Sequence, residues 1–308
     1  MKRNKCSLLP FIREDIYGLT PQDAQITGWE IEQFHIKKQW KHSKGENILV
    51  GVVDTGCDFN HPDIKNNIVQ GINLVSPNSD PMDDNGHGTH VSGTIAGEDN
   101  SLGMVGVSPR SKIMPIKVLG HDGTGNFTSV AKGIIWAADH GCHFITMSLG
   151  SASADRGIHK AIQYATEKNC IVFCAAGNDG PDSPIMFPAS CPETIAIGAV
   201  DRNLQRTEFT CSGDELDFLS PGDKIVSCTP QNSYASMSGT SMATPFAVGC
   251  ACLYASYAKK IQYSSLESSC TTPEDYRNLF KRTSKSLENP MYKGIKKYEG
   301  YGIMYPAL

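Results

Sequence analysis

The stretch NILVGVVDTG, residues 47–56, decides the fold class of this chain. It is a run of apolar residues, several of them β-branched, that ends in Asp54 and a turn containing glycine. A short apolar run bounded by a turn is typical of a strand that is buried on both faces of a parallel sheet. The stretch therefore predicts a buried strand that delivers a carboxylate to its carboxyl end.

Four further runs of this form follow along the chain, and candidate helices accompany them. The runs are SKIMPIKVL at 111–119, CHFITMSLG at 142–150, CIVFCAAGN at 170–178 and TIAIGAV at 194–200. The helical patterns cover residues 87–96, 128–140, 157–168 and 241–258. Apolar strands that alternate with helices predict an α/β fold of three layers, with a mostly parallel central sheet and helices on both faces. Functional residues in such sheets gather at the carboxyl ends of the strands.

The composition excludes several classes of function. The chain has 308 residues, of which 40% are hydrophobic and 19% charged, as in a globular protein with a sizeable core. A formal net charge of −4 gives no reason to expect nucleic acid or an anionic membrane as a partner. No apolar run approaches the ~18–20 residues that span a bilayer. Lys2, Arg3 and Lys5 are not followed by the apolar segment of a secretory signal, because charged residues interrupt it.

Eleven cysteines are scattered along the chain without the spacing of a metal site or a disulfide framework. An odd number of cysteines without an export signal predicts free thiols in a reducing cytoplasm. Cys57 lies three residues after Asp54, and we interpret it as a buried thiol rather than a nucleophile.

Three segments carry residues that acyl transfer requires. VVDTGCDFNHPD contains Asp54, DDNGHGTHVSGTIAG contains His87, and MSGTSMATPFAVG contains Ser241. Each residue alone has a structural explanation, as a turn residue, a helix-start residue or a helix N-cap. Together they supply a hydroxyl nucleophile, an imidazole that takes and returns its proton, and a carboxylate that orients the imidazole. Asn178, in FCAAGND at a strand end, adds an amide donor for an oxyanion.

The order Asp, His, Ser within the motifs DTG, HGTH and GTSMATP resembles the subtilisin family of serine proteases, from about Gln25 to the end of the chain. The resemblance implies a serine endopeptidase in which Asp54 orients His87, and His87 is the general base and acid for the nucleophile Ser241. It also implies that Asn178 binds the oxyanion. A non-catalytic binding protein is the least favoured alternative, since none of the four residues is substituted. An esterase of the α/β-hydrolase type is disfavoured because its serine precedes the other two residues and lies in G-x-S-x-G.

The same resemblance implies two strands that pair with the backbone of an extended substrate. One contains Gly123, Thr124 and Gly125, and the other contains Ser148, Leu149 and Gly150. Main-chain pairing of this kind gives affinity regardless of the substrate sequence. The residues implied to form the pocket for the side chain before the scissile bond are Ala175, Ala176, Gly177, Asp179 and Met186. Because many secreted members have glycine at the position of Met186, we expect this methionine to shorten the pocket and reduce acceptance of large aromatic side chains.

A structural calcium site is implied by the loop GEDNSLGM, residues 97–104. Calcium binds about six to eight oxygens from carboxylates, amides and backbone carbonyls. The implied ligands are the side chains of Gln25, Asp63 and Asn100 and the carbonyls of Glu98, Leu102 and Met104. The alternative is a polar surface loop without a metal. A second, weaker cation site is implied at Asp217 with the carbonyls of Ala189, Cys191 and Thr194.

Residues 1–24 precede the region of resemblance, so we divide the chain into a short inhibitory N-terminal extension, 1–24, and a subtilisin-like catalytic domain, 25–308. Within the extension, Leu8, Leu9, Pro10 and Phe11 resemble the Leu-Ile-Pro-Tyr-like motif of the intracellular subtilisins. That resemblance implies a segment that lies across the active cleft as a self-inhibitor and is cut away on activation. The alternative is a flexible tail that contains a few apolar residues.

The resemblance to the intracellular branch also predicts a cytoplasmic enzyme that acts on protein or peptide substrates. It leaves two roles open. One is an endopeptidase of broad or moderate specificity, and the other is a dedicated processing enzyme for one peptide or protein precursor. The same branch suggests a homodimer.

Overall fold

The computed structural model describes residues 5–16, 19–20, 23–261 and 270–308. The strands are β1 (Lys5–Leu8), β2 (Ile12–Ile16), β3 (Leu49–Asp54), β4 (Ile72–Asn73), β5 (Lys112–Lys117), β6 (Thr124–Asn126), β7 (Phe144–Met147), β8 (Leu149–Gly150), β9 (Ile171–Ala175), β10 (Thr194–Val200), β11 (Leu216–Pro221), β12 (Ile225–Thr229) and β13 (Ser233–Ser238). The α-helices are α1 (Trp29–Gln33), α2 (Ile36–Gln39), α3 (His87–Ala96), α4 (Phe127–Asp139), α5 (Arg156–Glu167), α6 (Thr240–Ile261), α7 (Pro273–Lys281) and α8 (Lys296–Glu299). A 3₁₀ helix covers Lys65–Asn67.

A parallel sheet of seven strands forms the centre of the fold, in the order β11-β10-β9-β7-β3-β5-β4. Every neighbouring pair in it runs parallel. The five apolar runs predicted from the sequence are β3, β5, β7, β9 and β10, whereas the edge strands β4 and β11 were not predicted. Since β9, β7 and β3 are adjacent, their carboxyl ends bring the segments of Asn178, Ser148 and Asp54 to one edge of the sheet.

Helices pack on both faces of this sheet, which confirms the predicted α/β class. Helix α3 packs with α6, helix α4 packs with α5, and both pairs contact the sheet. The four predicted helices correspond to these four; α3 has the predicted bounds, and the ends of the other three are shifted by one to three residues. Every residue of α3 is buried, as is the first half of α6, because both lie inside the molecule rather than on its surface. No helix among the residues just described combines the length and the apolar character needed to cross a membrane.

Helix α6 contains a proline four residues after Ser241, inside its first turns. Proline lacks a backbone N–H, so Pro245 cannot form the helical hydrogen bond to the Ser241 carbonyl. That carbonyl instead accepts the hydroxyl of Ser148 at 2.9 Å. The proline therefore frees a carbonyl that ties the start of α6 to the carboxyl end of β7.

Two strands of the N-terminal extension dock on the rest of the molecule. Strand β1 lies between β6 and β8 and runs antiparallel to both. Strand β2 runs antiparallel to β13, which also pairs with β12. Three residues, 9–11, connect the two docked strands.

All eleven cysteines are free, as predicted. Ten are buried and Cys270 is half-buried. Burial raises the pKa of these thiols, for example that of Cys6 to about 12, so they stay protonated. Cys57 is fully buried in a small apolar cluster with Ile64 and Tyr234, as expected of a packing residue.

Candidate active site

Asp54 and His87 form a buried pair at the carboxyl edge of the sheet. Strand β3 ends at Asp54 and helix α3 begins at His87. The Nδ1 atom of His87 lies 2.9 and 3.0 Å from the two carboxylate oxygens of Asp54. Both side chains are about 1% exposed or less. Because a carboxylate only accepts hydrogen bonds, the neutral ring carries its proton on Nδ1 and leaves Nε2 able to accept one.

A second carboxylate, Asp83, fixes the turn that leads into α3. It accepts the backbone N–H groups of Gly86 and Thr89 and the hydroxyl of Thr55, each at 2.9 Å. Since Thr55 follows Asp54 directly, Asp83 links the end of β3 to the start of α3. Sequence reasoning missed Asp83. The available signal was an acidic residue just before a helix start, where the helix dipole favours negative charge.

Ser241 lies at the start of α6, and its hydroxyl bonds to a backbone carbonyl rather than to His87. The hydroxyl donates to the Ser148 carbonyl at 3.3 Å. The Nε2 atom of His87 is buried and has no hydrogen-bond partner within the described part of the chain. The hydrogen bond through which a base activates a serine is therefore not formed in this arrangement.

Asn178 presents an oriented amide to the cleft. Its side-chain oxygen accepts the backbone N–H of Thr240 at 2.9 Å and the Thr240 hydroxyl at 2.8 Å. These two bonds turn the Nδ2 atom outward, where it donates to the carbonyl of Pro10 at 2.6 Å. The amide that sequence analysis assigned to an oxyanion thus contacts a peptide carbonyl of the extension.

Strand β1 lies between the two strands predicted to bind a substrate backbone. On one side Cys6 is opposite Gly125 and Ser7 is opposite Thr124. The N–H of Leu8 donates to the Gly123 carbonyl at 2.9 Å. On the other side, Ser7 and Leu8 are opposite the two residues that follow Ser148, which are Gly150 and Leu149. The structure therefore places five of the six predicted strand residues along one extended segment, whereas Ser148 bonds to Ser241 instead.

Leu9 is 2% exposed, and its side chain lies against Gly150, which also adjoins Met186 of the predicted side-chain pocket. A Cβ atom on Gly150 would lie 2.5 Å from Cδ2 of Leu9 and 3.4 Å from Sδ of Met186, so glycine leaves the room that Leu9 takes. A Cβ atom on Gly177 would lie 2.8 Å from Cγ of Met186. Of the remaining predicted pocket residues, Ala175 and Ala176 precede Gly177 and are buried, and Asp179 follows it and is exposed.

The ring of Phe11 packs against the ring of His87. Its ring centroid lies 5.0 Å from that of His87, with the ring planes tilted by 54°. The side chain also packs against an apolar cluster formed by Ile225, Ala235, Met237 and Met242. Together, Leu9, Pro10 and Phe11 contact the pocket, the Asn178 amide and the imidazole in succession.

The loop predicted to bind calcium gathers oxygen atoms around the side chain of Gln25. Its Nε2 atom lies 2.7 Å from the Glu98 carbonyl, 3.0 Å from the Leu102 carbonyl and 3.4 Å from the Met104 carbonyl. The Asn100 side-chain oxygen lies 3.3 Å away. Four acceptors therefore converge on a single point at the end of the Gln25 amide.

Asp63 borders the same loop. Its Oδ2 atom accepts the N–H of Met104 at 2.8 Å and the hydroxyl of Tyr234 at 2.7 Å. Its Oδ1 atom is buried and has no hydrogen-bond partner in the described residues. Burial raises the pKa of this carboxyl, which indicates that its charge is poorly compensated by protein groups alone. An orphaned carboxylate oxygen next to converging carbonyls is a donor set that suits a hard cation.

The second, weaker cation site predicted at Asp217 is corrected by the structure. The guanidinium of Arg277 donates to Asp217 at 2.9 Å and to the Thr194 carbonyl at 2.5 Å. The other two predicted ligands, the carbonyls of Ala189 and Cys191, accept the Thr194 hydroxyl at 3.1 and 2.8 Å. An internal cation and a hydroxyl thus use the oxygens that a bound ion would need.

The fold and this arrangement of aspartate, histidine and serine define the class of subtilisin-type serine endopeptidases. A family model described as the subtilase family matches residues 45–302, and the chain belongs to this family. It is 37% identical over 299 residues to an intracellular serine protease of Paenibacillus polymyxa, covering 94% of this chain and 89% of that protein. It is 39% identical over 261 residues to subtilisin DY of Bacillus licheniformis, covering 84% and 91%. It is 37% identical over 243 residues to thermitase of Thermoactinomyces vulgaris, covering 78% and 87%.

Proposed function

We propose that this endopeptidase cleaves peptide bonds through an acyl-enzyme on Ser241, with His87 as general base and acid and Asp54 as the group that orients His87. Nε2 of His87 takes the hydroxyl proton as Ser241 attacks the carbonyl, and returns it to the leaving amine. The side-chain amide of Asn178 and the backbone N–H of Ser241 donate to the oxyanion that develops. In the second half of the reaction, His87 takes a proton from a water molecule, which attacks the acyl-enzyme. His87 then returns that proton to the Ser241 oxygen as the acid product leaves.

The contact between Asn178 and the Pro10 carbonyl carries this proposal. A carbonyl of an extended segment lies 2.6 Å from the amide, in a cleft that also contains the Asp54–His87 pair. The segment stands in for a substrate, because it is hydrogen-bonded between β6 and β8 and places an apolar side chain in the pocket. Substrate recognition by backbone pairing fits an endopeptidase that acts on extended polypeptide.

We further propose that residues 1–24 restrain the enzyme until they are removed. The side chain in the pocket belongs to Leu9, whereas the carbonyl on the oxyanion donor belongs to the next residue, Pro10. A cleavable substrate presents the pocket side chain and the attacked carbonyl on the same residue, so this segment is out of register for attack. The Ser241 hydroxyl also faces the Ser148 carbonyl rather than His87, and Phe11 packs over the imidazole ring.

We propose that calcium stabilises this fold at the loop of residues 97–104. The side chains of Gln25, Asp63 and Asn100 and the carbonyls of Glu98, Leu102 and Met104 would hold it. A bound calcium ion supplies positive charge that compensates the orphaned oxygen of Asp63 and replaces the Gln25 amide group as the partner of the carbonyls. Gln25 directly follows the extension, so the same ion anchors the start of the catalytic domain, 25–308.

We also propose a cytoplasmic enzyme, for which the free cysteines and the name of the Paenibacillus relative are the support. Its oligomeric state, for which a homodimer is the expectation, is measurable by sedimentation. Cleavage of denatured casein, compared with cleavage of folded proteins and candidate precursors, separates a broad endopeptidase from a dedicated processing enzyme.

Active-site titration with a fluorophosphonate tests the catalytic proposal and the inhibitory proposal together. We expect slow labelling of Ser241 in the full chain, faster labelling after the extension is removed, and none in a Ser241→Ala variant. Absence of labelling under all conditions would contradict the catalytic roles and favour a binding protein. Rapid labelling that does not change on removal of the extension would contradict the inhibitory role only.

A further inference from the structure

Strand β13 offers an edge on the far side of the catalytic residues from β6 and β8. The edge is covered by β2 over five paired residues, from Ile12 opposite Ser238 to Ile16 opposite Tyr234. An uncovered strand edge presents unpaired N–H and C=O groups, which bind another extended segment. Residues 5–16 therefore pair with the rest of the molecule on both sides of the catalytic residues, through β1 on one side and through β2 on the other.

The side chains of β2 contribute little to this pairing. Ile12 is 61% exposed, and Arg13 and Asp15 form an exposed ion pair with each other at 2.7 Å. Such an exposed pair adds little stability. The one side-chain hydrogen bond from β2 to the rest of the described molecule is a long one, from the Arg13 guanidinium to the Asn85 carbonyl at 3.5 Å. The strand is thus held mainly through its backbone, which makes the edge tolerant of sequence.

Ile16 is the exception within β2. It is half-buried and packs against the apolar cluster of Cys57, Ile64, Met104, Cys228 and Tyr234. Tyr234, which is opposite Ile16 in the strand pair, is 1% exposed and belongs to this cluster. Tyr234 is near the start of β13, whereas Ser241 follows the end of that strand. The cluster would therefore contact a substrate side chain several residues after the scissile bond.

We propose that the edge of β13, Ser233–Ser238, binds the part of a substrate that follows the scissile bond, over at least five residues, and accepts an aliphatic side chain at the position of Ile16. This inference rests on the proposed function and deepens it. It makes the preferred substrate a long extended polypeptide rather than a short peptide. The leaving half of such a substrate adds a strand to β13, as the extension does.

Peptides based on the extension itself test this inference without altering the enzyme. The parent peptide has the sequence of residues 5–16 with Pro10→Ala, which makes it cleavable, and shorter versions end at Ile12 or Glu14. The enzyme is the full chain after its extension has been removed by its own activity or, failing that, by limited digestion with an added protease. We expect kcat/KM for the peptide that ends at Ile16 to exceed that for the peptide that ends at Ile12 by about tenfold, because several main-chain hydrogen bonds are added.

Backbone N-methylation distinguishes strand pairing from a simple effect of length. In an antiparallel pair, the N–H groups of one strand point alternately toward and away from its partner. Methylation at each residue from 12 to 16 in turn is therefore expected to lower kcat/KM at alternate positions only. Within the peptide, Ile16→Glu is expected to lower kcat/KM, whereas Glu14→Gln, at an exposed position, is the matched control that leaves it unchanged.

Equal kcat/KM values for all three lengths, with active enzyme, would overturn the inference, as would equal effects of methylation at every position. Failure to cleave any peptide, together with failure to cleave denatured casein, after removal of the extension would instead contradict the proposed function. The two failures are distinguishable because the peptide that ends at Ile12 still spans the pocket, the Asn178 amide and the imidazole.

Discussion

Asn178 is the residue whose loss most directly tests the chemistry. Its amide is oriented by two bonds to Thr240 and donates into the cleft. We expect Asn178→Ala to lower kcat by about 10²–10³-fold with little change in KM, a magnitude established for the corresponding asparagine of subtilisin. Steady-state kinetics of the enzyme freed of its extension measure this effect.

Thr240→Val provides the matched control for Asn178→Ala. The variant loses the hydroxyl bond to the Asn178 oxygen but keeps the backbone N–H bond, so the amide stays mostly in place. A loss in kcat for Thr240→Val as large as that for Asn178→Ala would show that the substitutions act through disruption of the start of α6 rather than through the donor.

Met186 is the second residue with a testable consequence, because it lies against the same glycine as Leu9 and is predicted to limit the side-chain pocket. Its Sδ atom approaches Gly150 and its Cγ atom approaches Gly177. We expect the unaltered enzyme to show no clear preference for Phe over Leu in matched peptides that carry Phe, Leu, Ala or Lys before the scissile bond. Met186→Gly should raise the ratio of kcat/KM for Phe to that for Leu by about tenfold, as the larger ring gains apolar burial. Met291→Gly, at a methionine that is 67% exposed, is the control that leaves the ratio unchanged.

At the scale of single residues, the sequence is enough to predict which side chains come together but not which hydrogen bonds they form. Asp54, His87, Ser241 and Asn178 stand in distinctive motifs, and the structure brings all four to one edge of the sheet. The bond from the Ser241 hydroxyl to the Ser148 carbonyl has no local signal, because its acceptor lies 93 residues earlier in the chain. The use of Arg277 as an internal cation beside Asp217 likewise depends on a tertiary contact between distant helices and strands.

At the scale of elements, the extension has a feature that is open to a direct test. Pro10 lacks an N–H and has a fixed φ angle, which limits how the segment between β1 and β2 passes Asn178 and His87. We expect Pro10→Ala to let the segment shift into register and be cut, so the lag before full activity shortens. Time courses of activity with N-terminal sequencing of the products measure the lag and locate the cut.

Ile12→Ala is the control for Pro10→Ala, since the Ile12 side chain is mostly exposed and its backbone pairing is kept. This variant should retain the lag of the unaltered chain. A Pro10→Ala chain that keeps both its lag and its intact extension would argue against the register explanation.

The loop of residues 97–104 is the second element with a measurable property. Calcium at about 100 times its Kd would stabilise the folded enzyme by about 2.7 kcal/mol, and chelation would remove that stability. We expect Asp63→Asn to abolish the calcium-dependent rise in Tm, because the orphaned carboxylate oxygen is lost. Asp99→Asn, in the same loop but ion-paired with Lys44, should retain the rise. An unaltered enzyme whose Tm is the same with calcium and with chelator would refute the calcium proposal.

The elements differ in how clearly their sequences predict them. The five central strands were predicted because strands buried on both faces are continuous apolar runs. Strand β11 was missed because Asp217 interrupts its apolar pattern, and β4 has only two residues. Strand β2, IREDI, is polar and largely exposed, since it is held through its backbone, and backbone pairing leaves no apolar pattern to detect.

At the scale of the whole molecule, Glu30 makes stability depend on pH. It is 3% exposed, and one of its oxygens has no partner in the described residues. Burial raises the pKa of this carboxyl from 4.5 to about 7. The folded state therefore holds its proton more tightly than the unfolded state, so the stabilising contribution is full below about pH 4.5 and is lost as the pH rises through about 7.

This linkage is worth about 3 kcal/mol between the two limits, as an order of magnitude. We expect Glu30→Gln, which stays neutral, to reduce the loss of stability between pH 5 and pH 8 as measured by urea unfolding. Glu167→Gln, at an exposed position at the end of α5 and away from Glu30, should leave that loss unchanged. The same pH dependence in all three proteins would show that Glu30 is not its source.

The two docked strands of the extension belong to the same chain as the cleft that they cover. The effective concentration of an attached segment is set by its tether and not by the amount of enzyme in solution. Dilution of the intact protein therefore leaves the cleft occupied. A cut that detaches the segment turns it into a free peptide, whose return then depends on its own concentration. Activation should consequently be sharp and, in dilute solution, irreversible in practice, without any change in the contacts themselves.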